Sequence, residues 1–186
     1  MRIRYNAPTV LTFALISALV LLLSRSVLPG LIENWFMVPG NRDFSAGSFR
    51  NWLSIITHIA GHADWQHLIG NFSLILLIGP MLEESYGSLS LLLMIVITAL
   101  VTGVLNIFLF NTSLMGASGV VFMMILLASF TNFSQGEIPL TFILVLVLYL
   151  GSQLVSSYNS DSISHFAHIV GGFCGSLFGF FRPPRR

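Results

Sequence analysis

Residues 62–82 read HADWQHLIGNFSLILLIGPML. The second half of this stretch is almost wholly apolar, while the first carries two histidines, an aspartate and an asparagine. A helix crossing a hydrocarbon core of roughly 30 Å needs about 20 largely apolar residues, because each residue rises about 1.5 Å. Gln66 to Leu82 therefore reads as a membrane span whose first turns are polar. His67 and Asn71 lie four residues apart and share one face of it. Polar groups placed inside a span must find partners, and ionisable ones are functional candidates.

Working outward, five more segments qualify as spans: Thr9 to Leu28, Leu89 to Phe110, Leu114 to Phe130, Ile138 to Leu154 and Ile163 to Phe181. The expected architecture is an all-α membrane domain of six transmembrane helices occupying residues 1–186. Turn residues at Tyr86-Gly87-Ser88, at Asn111-Thr112-Ser113 and from Asn132 to Gly136 predict tight hairpins. The connection 29–65 is longer. It contains Pro29-Gly30 and Pro39-Gly40, then Phe49 to Ile59, where apolar residues mix with Arg50, Trp52 and His58, and it predicts a subdomain lying in the interface.

Composition agrees. Of 186 residues, 55% are hydrophobic and 8% charged, more apolar surface than one soluble core buries. A net charge of +1 gives no case for nucleic acid. The single cysteine, Cys174, excludes an intrachain disulfide. Met1-Arg2-Ile3-Arg4 followed by an apolar run has the outline of a secretion signal. The run is long enough to span, however, and Ser24-Arg25-Ser26 supplies no small-residue cleavage site, so it is read as the first span. Arg2, Arg4, Arg182, Arg185 and Arg186 cluster at the termini, which an even number of spans places together on the cytoplasmic side. Arg42 and Arg50 then lie outside, and Arg25 snorkels at the outer end of the first helix.

With that orientation the second, fourth and sixth spans enter from the outer face. Asn71 lies five residues into its segment, Ser118 four and His168 five, so the three share one level roughly 6 to 8 Å below the boundary, with His67 one turn above Asn71. His168, Gly171, Gly175 and Gly179 recur on one helical face, and Gly116-Ala117-Ser118-Gly119 is equally small. Small residues let two backbones approach, which would bring hydroxyl and imidazole together. A neutral serine needs an adjacent base to become a nucleophile, a role open to His168. The oxyanion formed on attack needs donors, for which the Ser118 N–H, the Asn71 amide and the His67 imidazole are candidates.

Each element has a plainer reading in isolation. Gly-Ala-Ser-Gly is a packing motif, Asn71 and His168 are interhelical hydrogen-bonders, His58 and His62 are structural groups of the first loop, and His165 is a capping residue. Histidines 58, 62 and 67, or 165 and 168, also suggest imidazole ligands for a metal. No HExxH occurs. Asp43, Asp64, Glu83, Glu84, Glu137 and Asp161 all fall in loops or at helix ends, which supports neither an intramembrane aspartyl pair nor a carboxylate proton relay.

Three motifs in order resemble those of the rhomboid intramembrane proteases of the bacterial six-helix type. Residues 62–71 are similar to HAxxxHLxxN, Gly116-Ala117-Ser118-Gly119 to GxSG, and Ala167-His168-Ile169-Val170-Gly171 with Gly175 to AHxxGxxxG. The resemblance covers about residues 50 to 181. It implies a serine-type endopeptidase working through a Ser118 and His168 dyad and an acyl-enzyme, without metal or organic cofactor. It makes His67, Asn71 and Ser118 the oxyanion site, supported by Gly116, Gly119, Phe122 and Gly171. It also implies a multi-pass protein of the inner membrane with the site near the outer face. Its substrates would be single-pass membrane proteins, cut in or beside a transmembrane segment at small residues near helix-destabilising ones. Glu83 and Gly87 look like the family's cytoplasmic turn, where a carboxylate accepts backbone N–H bonds. The sequence departs from the family at two places: Leu53-Ser54 stands where many relatives carry Trp-Arg before Thr57, and Phe122 stands for the usual tyrosine. A rhomboid-fold scaffold or chaperone without proteolysis is the alternative, although such relatives typically lack the serine and histidine.

Overall fold

The computed structural model describes residues 4–131, 138, 140–145, 147–148, 162–182 and 184. It is all-helical, with no strand among the described residues. The long helices are α1 (Pro8–Ser26), α4 (Trp65–Tyr86), α5 (Ser88–Leu109), α6 (Ser118–Ala128) and α7 (Ser162–Phe181). Two short ones, α2 (Leu31–Trp35) and α3 (Phe49–Thr57), build the first loop, and a 3₁₀ turn at His58–Ala60 closes it. Residues 140–145 and 147–148 are also helical. By length and apolarity α1, α4 and α5 qualify as membrane spans, while α6 and His165–Phe181 are apolar but shorter. The expected span 138–154 is described only in part; the polar stretch Gln153 to Ser164, which sequence polarity between the last two expected spans suggests as a lid, lies outside the described residues up to position 161.

The end of the domain that holds the chain's N-terminus is fastened by one carboxylate. Helix α1 opens with Pro8 and has no side-chain cap of its own, which leaves backbone donors in its first turn without partners. Glu83, buried near the end of α4, supplies them: its two oxygens accept the N–H groups of Thr9 at 2.9 Å and Val10 at 3.0 Å. The expectation of a backbone-binding carboxylate at this turn is met. Gly87 has φ +84°, a left-handed conformation that lets α4 turn directly into α5.

At the other end the first loop is bound to the segment that leads into α6. Val38 and Leu114 exchange two backbone hydrogen bonds of 2.9 Å in an isolated antiparallel bridge. Asn41 N–H donates to Phe110 O at 2.7 Å and its side chain to Ile107 O at 2.8 Å. This pairing corrects one helix start. Hydropathy places the fourth span from Leu114, but residues 114–117 are extended or turning, and α6 begins at Ser118. Leu114 is buried with Val38, Ala167 and Ile107 in a segment that is not helical, so hydropathy misplaces the boundary.

The loop does without the family's usual Trp-Arg pair. Arg50 lies over the Trp35 ring, 5.0 Å from its centroid, and the Trp52 indole N–H donates to Ala46 O at 2.9 Å. The Thr57 hydroxyl bonds Trp35 O, and Ser54 is buried with its hydroxyl on Asn51 O. The Arg25 guanidinium donates to Ala63 O and ties the end of α1 to the entrance of α4.

Candidate active site

Ser118 is the first residue of α6, so its backbone N–H lies outside the helix's own hydrogen-bond ladder, at the positive end of the helix dipole. The approach to it is held by the first loop at successive residues. Gly116 N–H donates to His58 O at 3.0 Å, and Ala117 N–H to His62 Nε2 at 3.4 Å. Gly116 itself has φ +115°, which a side chain would strain. A side chain there would also meet the His67 ring, whose Cε1 and Nε2 lie 2.8 Å from where a Cβ would stand. The turn is thus shaped to receive His67.

His67 and Asn71 come from the first two turns of α4. Asp64 caps this helix by accepting the His67 N–H at 2.7 Å, which fixes where the first turn begins. Ala63 N–H approaches His67 Nδ1 at 3.5 Å, an arrangement that assigns the ring proton to Nε2, the nitrogen facing Gly116. Asn71 is buried, and its amide nitrogen has no hydrogen-bond partner among the described residues while lying 3.9 Å from the same Gly116 position. Two side-chain donors therefore face the turn that delivers Ser118.

Helix α7 meets α6 along the most extensive helix contact of the described fold. The crossing is backbone against backbone. A Cβ on Gly171 would collide with the carbonyl of Gly119, and one on Gly119 would stand 3.2 Å from Ala167 O. Further along, Gly175 faces the Met123 backbone and Gly179 the Phe130 ring, so the small-residue face expected from sequence is the packing face. Ser118 is adjacent in sequence to Gly119, and His168 to Ala167, so the two residues flank one crossing. Phe122, one turn beyond Ser118 on α6, packs its ring 4.3 Å from that of His168 at an interplanar angle of 44°. The ring contact needs no tyrosine hydroxyl.

Of the residues singled out from sequence, His67, Asn71, Gly116, Ser118, Gly119, Phe122, His168 and Gly171 all adjoin this junction. Among the described residues no group of three His, Cys, Asp or Glu side chains converges as a metal site. The sequence reading singled out His58 and His62 as structural groups of the first loop but passed over Thr102. Both histidines are fully buried and hold the approach to Ser118. Burial pushes the imidazoles of both down to about 4, with His67 adding to the effect at His62. Thr102 on α5 lies 3.4 Å from His58 Nε2, and its methyl stands 3.4 Å from the Cβ position of Gly119. Its signal was the buried polar stripe Thr98, Thr102, Asn106, spaced by four along an otherwise apolar helix.

Comparison with known proteins returns one family. A rhomboid domain model matches residues 50–185. The chain is 26% identical over 128 residues to Rhomboid protease GlpG of Haemophilus influenzae, an alignment covering 67% of each protein. It is 23% identical over 162 residues to Rhomboid-like protein 11, chloroplastic, of Arabidopsis thaliana, covering 78% of this chain and 58% of that protein.

Proposed function

The chain belongs to the rhomboid family, and from that premise we propose that it is a six-span intramembrane serine endopeptidase acting on transmembrane segments of single-pass membrane proteins. The observation that carries the reading is the position of Ser118, at the start of α6 and at the glycine crossing with the helix bearing His168. Ser118 Oγ attacks the scissile carbonyl carbon as His168 takes the hydroxyl proton. The carbonyl oxygen becomes an oxyanion, received by the Ser118 N–H, the Asn71 amide and the His67 Nε2–H. Collapse of the intermediate breaks the C–N bond, His168 returns the proton to the leaving amine, and an acyl-enzyme remains. Water, deprotonated by His168, then releases the acid and restores the serine.

A helical peptide bond is shielded by its own hydrogen bonds, so the substrate must unwind at the site, which favours small and helix-destabilising residues there. The termini lie in the cytoplasm and the site opens toward the outer face of the inner membrane, with the expected fifth span and the stretch before α7 as its gate. The test is cleavage of a reporter transmembrane substrate in liposomes. Ser118→Ala and His168→Ala should each lose activity by roughly a thousandfold or more. Undiminished cleavage by either variant would remove the dyad. Labelling of Ser118 by a fluorophosphonate separates a protease from a rhomboid-fold scaffold, and insensitivity to chelators separates it from a metal enzyme.

A further inference from the structure

His62 takes no part in the chemistry above, yet it is completely buried where the first loop, α4 and the turn into α6 meet. Its Nδ1 faces Ala60 O at 3.3 Å and its Nε2 faces the Ala117 N–H at 3.4 Å. A carbonyl on one side and an N–H on the other are both satisfied by a single neutral tautomer, with the proton on Nδ1 and a lone pair on Nε2. The ring also stands edge-on to His67, with centroids 4.9 Å apart, and rests 5.7 Å from Phe72 on α4. One imidazole thus touches the peptide that precedes the nucleophile and the ring offered to the oxyanion.

We propose that His62 is a positioning residue for the oxyanion site: its Nε2 takes up the Ala117 N–H while its ring edge fixes the plane of His67. The consequence for Ser118 follows from the backbone. Gly116 and Ala117 have their N–H groups engaged, by His58 O and His62, so the peptide plane entering α6 is set. The next N–H in the chain, that of Ser118, is the one left to face a substrate. The depressed proton affinity of His62 keeps its acceptor lone pair available at neutral pH. His67 and the Asp64 carboxylate are the charged or titratable groups acting on it, the first lowering and the second raising that affinity.

The inference rests on Ser118 being the nucleophile, and the experiment separates the two. Full-length wild type, His62→Leu and His62→Gln are compared in liposomes on a transmembrane reporter. Leucine fills the volume without an acceptor, whereas the glutamine amide can accept from Ala117 and donate to Ala60. His62→Leu should lower kcat by roughly ten- to a hundredfold with KM changed less than about twofold, and His62→Gln should recover most of the loss. A leucine variant with wild-type kcat, or a glutamine variant as impaired as leucine, overturns the proposal. If leucine prevents folding, His62→Asn, which shortens the reach to Ala117, replaces it with the same expected loss.

Hydrogen exchange at the Ala117 amide reads the same contact without turnover. It should be at least about tenfold faster in His62→Leu than in wild type or His62→Gln, and equal rates would again overturn the proposal. A wild type that neither cleaves nor labels would instead refute the protease reading, leaving amide exchange to decide the role of His62.

Discussion

Asn71 shows most directly what one buried side chain indicates. A primary amide in a membrane helix is expensive unless both ends are paired, yet here the nitrogen is enclosed and has no partner among the described residues. On the proposed function, a donor held in that state beside Gly116 is preorganised for an oxygen that arrives with substrate. Asn71→Ala should then lower kcat by roughly a hundredfold while leaving thermal stability in detergent near wild type, because no hydrogen bond to a described residue is lost. Steady-state cleavage and a melting curve on the same preparation check both parts. At this scale the sequence singled out Ser118, His168, His67 and Asn71 as candidates, and His62 as a structural group. It did not reach Thr102, the strained φ of Gly116 or the partners of His62, because these depend on contacts between segments distant in the chain.

At the scale of elements the site depends on how closely α6 and α7 can approach. The spacing of Gly171, Gly175 and Gly179 announced a flat helical face, and the backbone of α6 lies against it. A methyl group at 171 meets the Gly119 backbone, which cannot rotate away as a flexible side chain would. Gly171→Ala should separate the helices, moving His168 from Ser118, and reduce cleavage by about tenfold or more with helical content unchanged by circular dichroism. Gly70, on the early turns of α4, has nothing within 4 Å of its Cβ position among the described residues, so Gly70→Ala is the matched control and should retain activity. Element starts were less legible. A hydropathy window cannot distinguish lipid-facing leucine from Leu114 paired with Val38, so the start of α6 emerged only from that pairing.

For the whole molecule, the first loop acts as a brace between the helix starts, and its two buried histidines give the fold a pH dependence. His58 has its proton affinity lowered from 6.5 to about 4 by burial. Between these values the unfolded chain binds a proton that the folded chain refuses, so stability is complete above about pH 6.5 and declines as pH falls toward 4. The effect is on the order of 3 kcal/mol for this one group, and His62 acts in the same direction. Reversible denaturation in detergent across pH 4 to 7 should show that decline, and His58→Asn should flatten it. A profile unchanged by the substitution would assign the acid sensitivity elsewhere.

The sequence by itself determined a helical membrane chain, the rhomboid motifs in order, the candidate serine and histidine, and the close-packing glycines. Those properties are written in hydropathy and in three- and four-residue spacing, which act within one helix. The tertiary structure decided where α6 starts, that His58 and His62 lie buried against it, and that Glu83 caps a helix more than seventy residues away in the chain. Each of these depends on a polar backbone group finding its partner in a distant segment, and in a low-dielectric interior that pairing is obligatory although no local pattern records it.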